Sequence, residues 1–457
     1  MNTLLETLMN GLAVGSLYAL IALGYTMVYG ILKFINFAHS DVFVVGAWMS
    51  LTIATAAGWT GETQGPPTWL WYSLCVVGVL GLTGAVWRAV SPRVESDGAF
   101  TLVARRLQFD VWPMVAIWAW VVVGLFYAVQ VLKAQGFAFV GAALVLIAAM
   151  LACGLLGFLI ERFAYRPLRN APRLNVLITA IGVSLLLQNT GQLKWFFGPS
   201  PKRMPDLMPD IVLNESLVAR GTVMPADGGK AQLDAAFEVL DGRDYRLDIA
   251  SPAGGWAQRR VTATAGMHPA GHPIDVLPPT DEAVKGHAYR MVLVPKVPIR
   301  LVDVMGAGTA LLLMLVLEWL VFRTKLGRAM RAVSFNHNTA ALMGINVDRV
   351  ISFTFVLGSM LAAAAGFLYA MKYPGLNQPA YTSWVLLGLK AFVAAVVGGI
   401  GNIRGAMLGG IFIGLIEFFG VTYISTDYRD VYVFSILILV LLFRPSGLLG
   451  RATVEKV

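Results

Sequence analysis

Long segments without charged residues constrain this sequence more than any other feature. A helix needs about 20 predominantly apolar residues to cross the roughly 30 Å hydrocarbon core of a bilayer, and many segments of the 457-residue chain approach or meet that requirement. The runs are continuous rather than alternating, which argues against the strands of a membrane β-barrel. Only 13% of the residues are charged, whereas a soluble domain carries about 25%. The sequence therefore predicts an all-α polytopic membrane protein.

We predict about 10–11 transmembrane helices from the positions of these runs. The run at 384–400 is short and rich in glycine, and the run at 175–193 is also compatible with a re-entrant segment. The predicted spans cover residues 7–30, 37–57, 69–88, 111–132, 138–160, 175–193, 301–322, 351–371, 384–400, 405–422 and 431–443.

Lysine and arginine residues in the short loops predict the orientation of the chain, because cytoplasmic loops contain an excess of them. Every second short loop is rich in these residues, and the remaining short loops contain only Lys133, Lys372 and Arg429. We assign the basic loops to the cytoplasm, which places the N-terminus outside and the C-terminus inside. The residues of the basic loops are Lys33, Arg88, Arg93, Arg105, Arg106, Arg162, Arg166, Arg169, Arg173, Arg323, Lys325, Arg328, Arg331, Arg349, Arg404, Arg444, Arg451 and Lys456.

One segment between the predicted spans is polar. Residues 197–300 contain many charges of both signs and several prolines, and they separate an N-terminal membrane region, 1–196, from a C-terminal one, 301–457. Short alternating stretches such as 237–240 and 245–249 are flanked by turn signals. We predict a small β-rich insert or a partly ordered loop on the external face, since long loops are translocated largely regardless of charge.

Small residues recur at helical spacing in two parts of the chain. Gly11 and Gly15 share one face of the first span, and Gly401, Gly405 and Gly409 follow the same spacing later in the sequence. Lipid provides no hydrophobic drive between helices, so small residues that let backbones approach closely are a common packing device. We predict helix packing at these positions, with a pore-lining role as the alternative.

Polar residues at the edge of the second span are candidates for the solute path. Asn36 and His39 belong to a short polar stretch beside an apolar run. Polar side chains at membrane depth are costly unless they are paired or hydrated, which makes them candidates for a functional site. The alternative is that Asn36 or Ser40 caps the helix that follows, and the two roles are compatible.

Lys390 is the most unusual charge because it lies within a predicted span. An ion pair with a carboxylate inside the bundle is expected, and Glu417 and Glu318 are both possible partners. The alternative is that the Lys390 side chain extends to the membrane interface. Lys390 therefore joins Asn36 and His39 as a candidate for the solute path or for the network that supports it.

The predicted cytoplasmic segment 323–349 has the composition of a docking element. Asn338 can cap a short helix over 339–343, and Gly344 can end that helix. The result would be a small apolar helix between basic residues, accessible to a cytoplasmic partner. The alternative is an amphipathic linker on the lipid headgroups.

The sequence offers little chemistry of other kinds. It contains no Gly-x-x-x-x-Gly-Lys-Ser/Thr loop for nucleotide phosphates, so ATP, if it is used, must bind another chain. No catalytic or metal-binding constellation stands out among the five histidines, and we predict no enzyme activity, metal or cofactor. Cys75 and Cys153 lie in apolar runs and predict no disulfide framework. The net charge of +9 comes largely from short loops, which argues against nucleic-acid binding.

Several blocks of the sequence carry a family resemblance. In chain order they are Gly11–Gly30, Ile35–His39, Glu161–Arg169, Phe322–Ala332, Ala341–Ile345, Lys390–Ala406 and Arg444–Leu448. They extend over most of the membrane part of the chain, and together they resemble the inner-membrane permeases of branched-chain amino acid ABC transporters. The departures are two additional spans at about 60–136, a long external insert, and Ser40 in a position where the family usually has glycine.

The resemblance implies a permease subunit of a bacterial inner-membrane importer that works by alternating access. Its partners would be a second related permease, two ATPase subunits and a periplasmic substrate-binding protein, with membrane lipid around the helices. The solute would be a branched-chain amino acid or a similar small polar molecule such as an amide or urea. The 323–349 segment would couple to the ATPase through Arg328, Arg331, Ala341, Leu342 and Gly344.

Two other functions remain open at the level of the sequence. An ion-coupled secondary transporter also uses broken helices and needs no ATPase, so a stable complex with an ATPase subunit would reject it. A membrane receptor or scaffold would use the external insert as its binding module and would lose its ligand when the insert is deleted.

Overall fold

A computed structural model describes residues 2–56 and 138–450, apart from positions 35 and 170 and short stretches between 209 and 299. The two additional spans predicted at about 60–136, and Cys75 with them, lie outside the described residues. All statements below concern the described part of the chain.

The chain divides into two compact units. One comprises residues 10–209 and 302–457 and is called the helical unit here; the other comprises residues 1–9 and 210–301. The α-helices are α1 (Asn2–Leu32), α2 (His39–Ala56), α3 (Ala138–Ile160), α4 (Arg173–Gly191), α5 (Leu301–Arg323), α6 (Lys325–Phe335), α7 (His337–Leu342), α8 (Val347–Lys372), α9 (Thr382–Gly398), α10 (Ile403–Tyr423) and α11 (Arg429–Phe443).

Six helices of the described chain are long and apolar enough to cross a membrane. The shorter α9 is also apolar, and α4 is a continuous helix over the segment that was compatible with a re-entrant structure. The prediction of an all-α membrane bundle is therefore confirmed. The six candidate spans are Leu4–Leu32, Val140–Leu168, Leu174–Gly191, Leu301–Arg323, Val347–Lys372 and Ile403–Tyr423.

Helix α8 packs closely against α2 in the helical unit. Ala362 and Ala363, in the middle of α8, are fully buried. A Cβ atom added at Gly46 of α2 would collide with the backbone of Ala363, and one added at Gly366 would collide with the backbone of Phe43. Small residues on both helices thus permit backbone contact, and the position of α2 is set by α8.

Helices α1 and α10 cross at glycines from both partners. A Cβ atom added at Gly15 would collide with the backbone of Ile411, and one added at Gly410 would collide with the backbone of Ala19. Gly11 is less tightly placed, since an added Cβ atom would lie 3.0 Å from the Leu415 side chain. Because the contacts of Gly15 and Gly410 involve backbone atoms, a side chain at either position would force the two helices apart.

The glycines where α9 and α10 meet have two different roles. Gly405 and Gly409, both on α10, approach the backbone of Gly398 at the end of α9. Gly401, for which packing was also predicted, instead lies in the turn between the helices with a φ of 91° and has open space around its α carbon. Glycine is needed at position 401 for its backbone conformation, because glycine adopts this region of φ without steric cost.

The unit formed mainly by residues 210–301 contains most of the strands. The strands of the described chain are β1 (Lys202–Arg203), β2 (Ser216–Met224), β3 (Ala231–Leu233), β4 (Phe237–Val239), β5 (Asp244–Ala250), β6 (Trp256–Thr262), β7 (Gly266–His268), β8 (Pro273–Leu277), β9 (Ala288–Val294) and β10 (Gly375–Leu376). Six of them form a closed sheet in the order β2-β3-β8-β6-β5-β9, and β4 pairs with β7. The expected β-rich insert is confirmed, and the stretches predicted at 237–240 and 245–249 correspond to β4 and β5.

A short helix forms within the 323–349 segment, but its cap is not the predicted one. Helix α7 begins one residue before Asn338, and the Asn336 side chain accepts a hydrogen bond from the Thr339 amide at 3.0 Å. The assignment of Asn338 as the cap is therefore wrong. Gly344 has a φ of 81° just after the helix, in agreement with its predicted role as the terminating residue.

Replacement of Gly410 by leucine is expected to destabilise the helical unit, because the new side chain would collide with the Ala19 backbone. Overpacking of this kind costs about 1–3 kcal/mol. Size-exclusion chromatography of heated samples, with detection by tryptophan fluorescence, should show that the variant aggregates at a lower midpoint temperature than the unsubstituted protein. Gly308→Leu on α5 is the matched control, since open space surrounds Gly308. Equal midpoints for the two variants would contradict the packing described.

Candidate functional site

A cavity of about 360 Å³ lies within the helical unit, among α1, α2, α8, α9 and α11. Pockets for small molecules have volumes of about 300–1,000 Å³, so this space suits a small solute. Its wall combines apolar side chains, including Leu17 and Phe43, with the charged side chains of Lys390, Arg429 and Asp430. The cavity is therefore both apolar and ionic.

Lys390 lies on the inner side of α9 and is only 5% exposed. Its Nζ atom contacts Glu417 Oε1 at 2.9 Å and Asp430 Oδ1 at 2.6 Å. The expected ion pair between a lysine and a glutamate is confirmed, with Glu417 as the partner. Glu318 instead pairs with Arg404. The fully buried Glu417 carboxylate holds the ammonium group, which argues against the alternative of a Lys390 side chain that extends to the membrane interface.

Glu417 of α10 is the centre of the charged group. Its side chain is fully buried, and besides Lys390 it accepts hydrogen bonds from the Tyr18 hydroxyl at 2.8 Å and from Arg429 Nε. A buried carboxylate persists only where donors satisfy it. The charges of Lys390, Arg429, Glu417 and Asp430 sum to zero, so the site is strongly polar without carrying a net charge.

No sequence pattern indicated the other members of this network. Arg429 and Asp430 occupy the start of α11, where a basic residue is typical of a loop and an acidic residue is explained by the helix dipole. Tyr18 lies inside an apolar run. Only Glu417 could have indicated that further members exist. A carboxylate at membrane depth needs several hydrogen-bond donors, and Lys390 is only one of them.

Asn36 does not line the cavity. Its side-chain oxygen accepts a 2.6 Å hydrogen bond from the Tyr165 hydroxyl. The side-chain contacts differ from those of a helix cap, because the Asn36 oxygen is occupied by Tyr165 and the Ser40 hydroxyl donates to the Phe37 carbonyl at 3.0 Å. Asn36 therefore joins the start of α2 to a neighbouring segment.

His39 also lies away from the cavity wall. Its ring is 2% exposed and packs edge-on against Tyr25, with 4.7 Å between ring centroids. The Nε2 atom has no hydrogen-bond partner among the described residues. The structure thus brings only Lys390, of the three candidates for the solute path, to the cavity.

The predicted docking residues are accessible on the surface. Met343, beside them, is 79% exposed, and Leu342 is 87% exposed. Exposed apolar side chains of this size next to basic ones are typical of an interaction surface. The predicted docking residues that the structure leaves exposed are Arg328, Arg331, Ala341, Leu342 and Gly344.

Comparisons with known proteins match nearly the whole chain. A family model described as branched-chain amino acid transport system, permease component, matches residues 7–94 and 111–442. The chain is 31% identical to the high-affinity branched-chain amino acid transport system permease protein BraD of Pseudomonas aeruginosa, over 99% of this chain and 98% of that protein. It is also 31% identical to the corresponding permease protein LivH of Escherichia coli K12, over 99% of this chain and 97% of that protein.

A more distant relative shares part of the chain. The autoinducer 2 import system permease protein LsrC of Klebsiella pneumoniae is 35% identical over 115 residues, which are 23% of this chain and 32% of that protein. No solved structure matches the chain.

Substitution of Lys390 by methionine is expected to destabilise the helical unit, because Glu417 and Asp430 would lose a shared cation. Removal of one partner from a buried ion pair costs up to about 3–5 kcal/mol, and the Tyr18 and Arg429 donors that Glu417 retains should keep the loss towards the lower end. The double variant Lys390→Met/Glu417→Gln keeps the net charge of the network at zero and should recover part of the loss. Thermal unfolding in lipid nanodiscs would measure each change.

The control for this series is Arg404→Met, which breaks a more exposed ion pair with Glu318. Exposed pairs contribute about 0–1 kcal/mol, so this variant should unfold near the temperature of the unsubstituted protein. A double variant that is less stable than Lys390→Met alone would contradict the importance of charge balance in the network.

Proposed function

We propose a transport function from one premise: this chain belongs to the family of permease components of branched-chain amino acid transport systems. The protein is a membrane transport subunit with several helices that can cross a bilayer. Its proposed role is to form the membrane path of an ABC importer in the bacterial inner membrane. The proposed solutes are branched-chain amino acids or similar small polar molecules, such as amides, which move by alternating access.

The observation that carries this proposal is the balanced charge of the cavity. An amino acid at neutral pH has one ammonium group and one carboxylate group, and a branched-chain amino acid adds an apolar side chain. Lys390 and Arg429 provide cations for the carboxylate, Asp430 provides an anion for the ammonium group, and Leu17 and Phe43 provide apolar surface. A site of this kind favours a zwitterion over a simple ion.

Asn36 and His39 have a different place in this scheme. Both are buried and both lie at or just before the start of α2, which carries Phe43 to the cavity wall. We assign them to the network that holds α2 in position rather than to the wall of the solute path. Lys390 is the proposed path residue.

The proposed assembly contains a second related permease, two ATPase subunits and a periplasmic substrate-binding protein. The ATPase would dock on the 323–349 segment, where Leu342 and Met343 are exposed beside basic residues. In this arrangement the segment and the C-terminus face the cytoplasm, and the N-terminus and the β-rich insert face the periplasm. The name of the LsrC relative, an import permease, supports import as the direction of transport.

Proteoliposomes that contain this permease with its partner permease, ATPase subunits and binding protein are expected to take up radiolabelled leucine only when ATP is present. Lys390→Met should lower uptake by about tenfold or more, because a hydrogen bond to a charged group contributes about 1.5–3 kcal/mol and about 1.4 kcal/mol corresponds to a factor of ten. Arg404→Met should transport normally. Uptake driven by an ion gradient without ATP would reject the importer, and normal uptake by Lys390→Met at normal expression would reject the role of Lys390.

Leu342→Asp is expected to weaken binding of the ATPase, because it places a charge in the apolar part of the proposed docking surface. Co-purification in mild detergent should recover much less ATPase with this variant than with the unsubstituted permease. Ile424→Asp is the control, since Ile424 is also an exposed apolar residue, 73% accessible, at the end of a different helix. Equal loss of ATPase from both variants would argue against a specific docking surface at α7.

A further inference from the structure

We propose that the segment Glu161–Arg169, called the relay segment here, transmits movement of the 323–349 segment to α2. Tyr165 of this segment and Asn36, which precedes α2, act as positioning residues that place α2 for transport. This inference rests on the proposed function, because it requires an ATPase that acts on the 323–349 segment. Four features of the helical unit support it.

The first feature is a charged connection between the relay segment and the start of α8. Arg166 Nη2 contacts Asp348 Oδ2 and Arg169 Nη1 contacts Asp348 Oδ1, both at 2.5 Å. Asp348 lies in the first turn of α8, and α7 ends only a few residues before it. The Asp348 carboxylate thus joins two arginines of the relay segment, one at each oxygen. Displacement of α7 would therefore act on the relay segment through Asp348.

The second feature is the anchor at the beginning of the relay segment. Glu161 is fully buried and accepts hydrogen bonds from Arg169 and from the Ser352 hydroxyl at 2.6 Å. Glu161, Asp348, Arg166 and Arg169 carry charges that sum to zero. The cluster ties the relay segment to the first two turns of α8, so the two elements move together.

The positive charges near the relay segment also act on the first residue of α7. Burial and then the positive charges of Arg169 and Lys33 lower the pKa of the His337 imidazole. His337 is the first residue of α7. The helix proposed to meet the ATPase therefore begins close to the cations of the relay segment and to the end of α1.

The third feature is the backbone of the relay segment. Glu161–Tyr165 form a π-helical turn that continues α3, and Arg166–Leu168 form a 3₁₀ turn. Turns of these two kinds often mark functional hinges, because they differ from the α-helix in the number of residues per turn. Conversion of the π-helical turn to α-helical geometry would rotate the Tyr165 side chain about the helix axis. The inference takes this conversion as the movement that the relay segment makes.

The fourth feature is the link from Tyr165 to α2. Tyr165 is 1% exposed, its ring lies 5.3 Å from that of Phe355, and its hydroxyl donates to Asn36 Oδ1 at 2.6 Å. The Asn36 carbonyl accepts from the His39 amide at the start of α2. Phe43 follows on the same helix and lines the cavity. Rotation of Tyr165 would therefore displace α2 at its start and alter the cavity wall.

The test uses Tyr165→Phe in the complete importer complex in proteoliposomes, with leucine moved and ATP hydrolysed measured in the same sample. The number of leucine molecules moved per ATP is expected to fall about five-fold or more, the lower end of a typical coupling between sites. The rate of ATP hydrolysis should change much less. Tyr432→Phe is the matched control, because it also loses one hydroxyl hydrogen bond, to the Ser425 carbonyl at 3.0 Å, outside the relay segment.

A second variant separates transmission from simple destabilisation. Tyr165→Phe combined with Asn36→Leu removes both partners of the hydrogen bond, so neither is left buried and unpaired, and thermal stability should recover. The ratio of leucine to ATP should stay low in this double variant. Recovery of the ratio, or an unchanged ratio in Tyr165→Phe alone, would overturn the inference. Absence of ATP-driven leucine uptake by the unsubstituted complex would overturn the proposed function, and the inference with it.

Discussion

The buried carboxylate of Glu417 is the constraint on which the arrangement of the helices around the cavity depends. A charge at membrane depth is costly unless other groups compensate it, and this one receives donors from three other helices. Tyr18 comes from α1, Lys390 from α9 and Arg429 from α11. Replacement of such a network by apolar residues can be neutral for stability. Its value lies in specificity, because a different packing of these helices would leave a charge unpaired.

Glycine contacts make this convergence possible. Tyr18 can reach Glu417 only if α1 and α10 are close, and their approach at Gly15 and Gly410 involves backbone atoms of both helices. Gly409 has the same function towards α9, which carries Lys390. The glycine contacts between helices and the long charged side chains beside the cavity therefore depend on each other. The glycines set the distances between the helices, and the ion pairs select how the helices are oriented.

Much of this architecture could be predicted from the sequence, because length and hydropathy of a membrane helix are local properties. Lys390 was conspicuous for the same reason, and a pair with a glutamate followed from the cost of an isolated charge. The rest depends on contacts distant in sequence. Arg429 resembles a loop residue. Asn336 and Asn338 can both cap a helix, and only the folded backbone shows that Asn336 does so. The closed order of the strands depends on pairings that no local pattern specifies.

The two charged clusters of the helical unit share a property that suits a transporter. Each cluster is neutral as a whole, and each has one residue that is shared by two partners. Lys390 is shared by two carboxylates, and Asp348 is shared by two arginines. Each cluster includes a fully buried carboxylate, Glu417 or Glu161, and leaving such a charge uncompensated costs far more than an exchange of partners within a neutral set. A shared residue can move towards one partner while the other is satisfied by a neighbour or by a zwitterionic solute. Alternating access requires such rearrangement beside the cavity and beside the 323–349 segment, and both clusters permit it without an uncompensated charge.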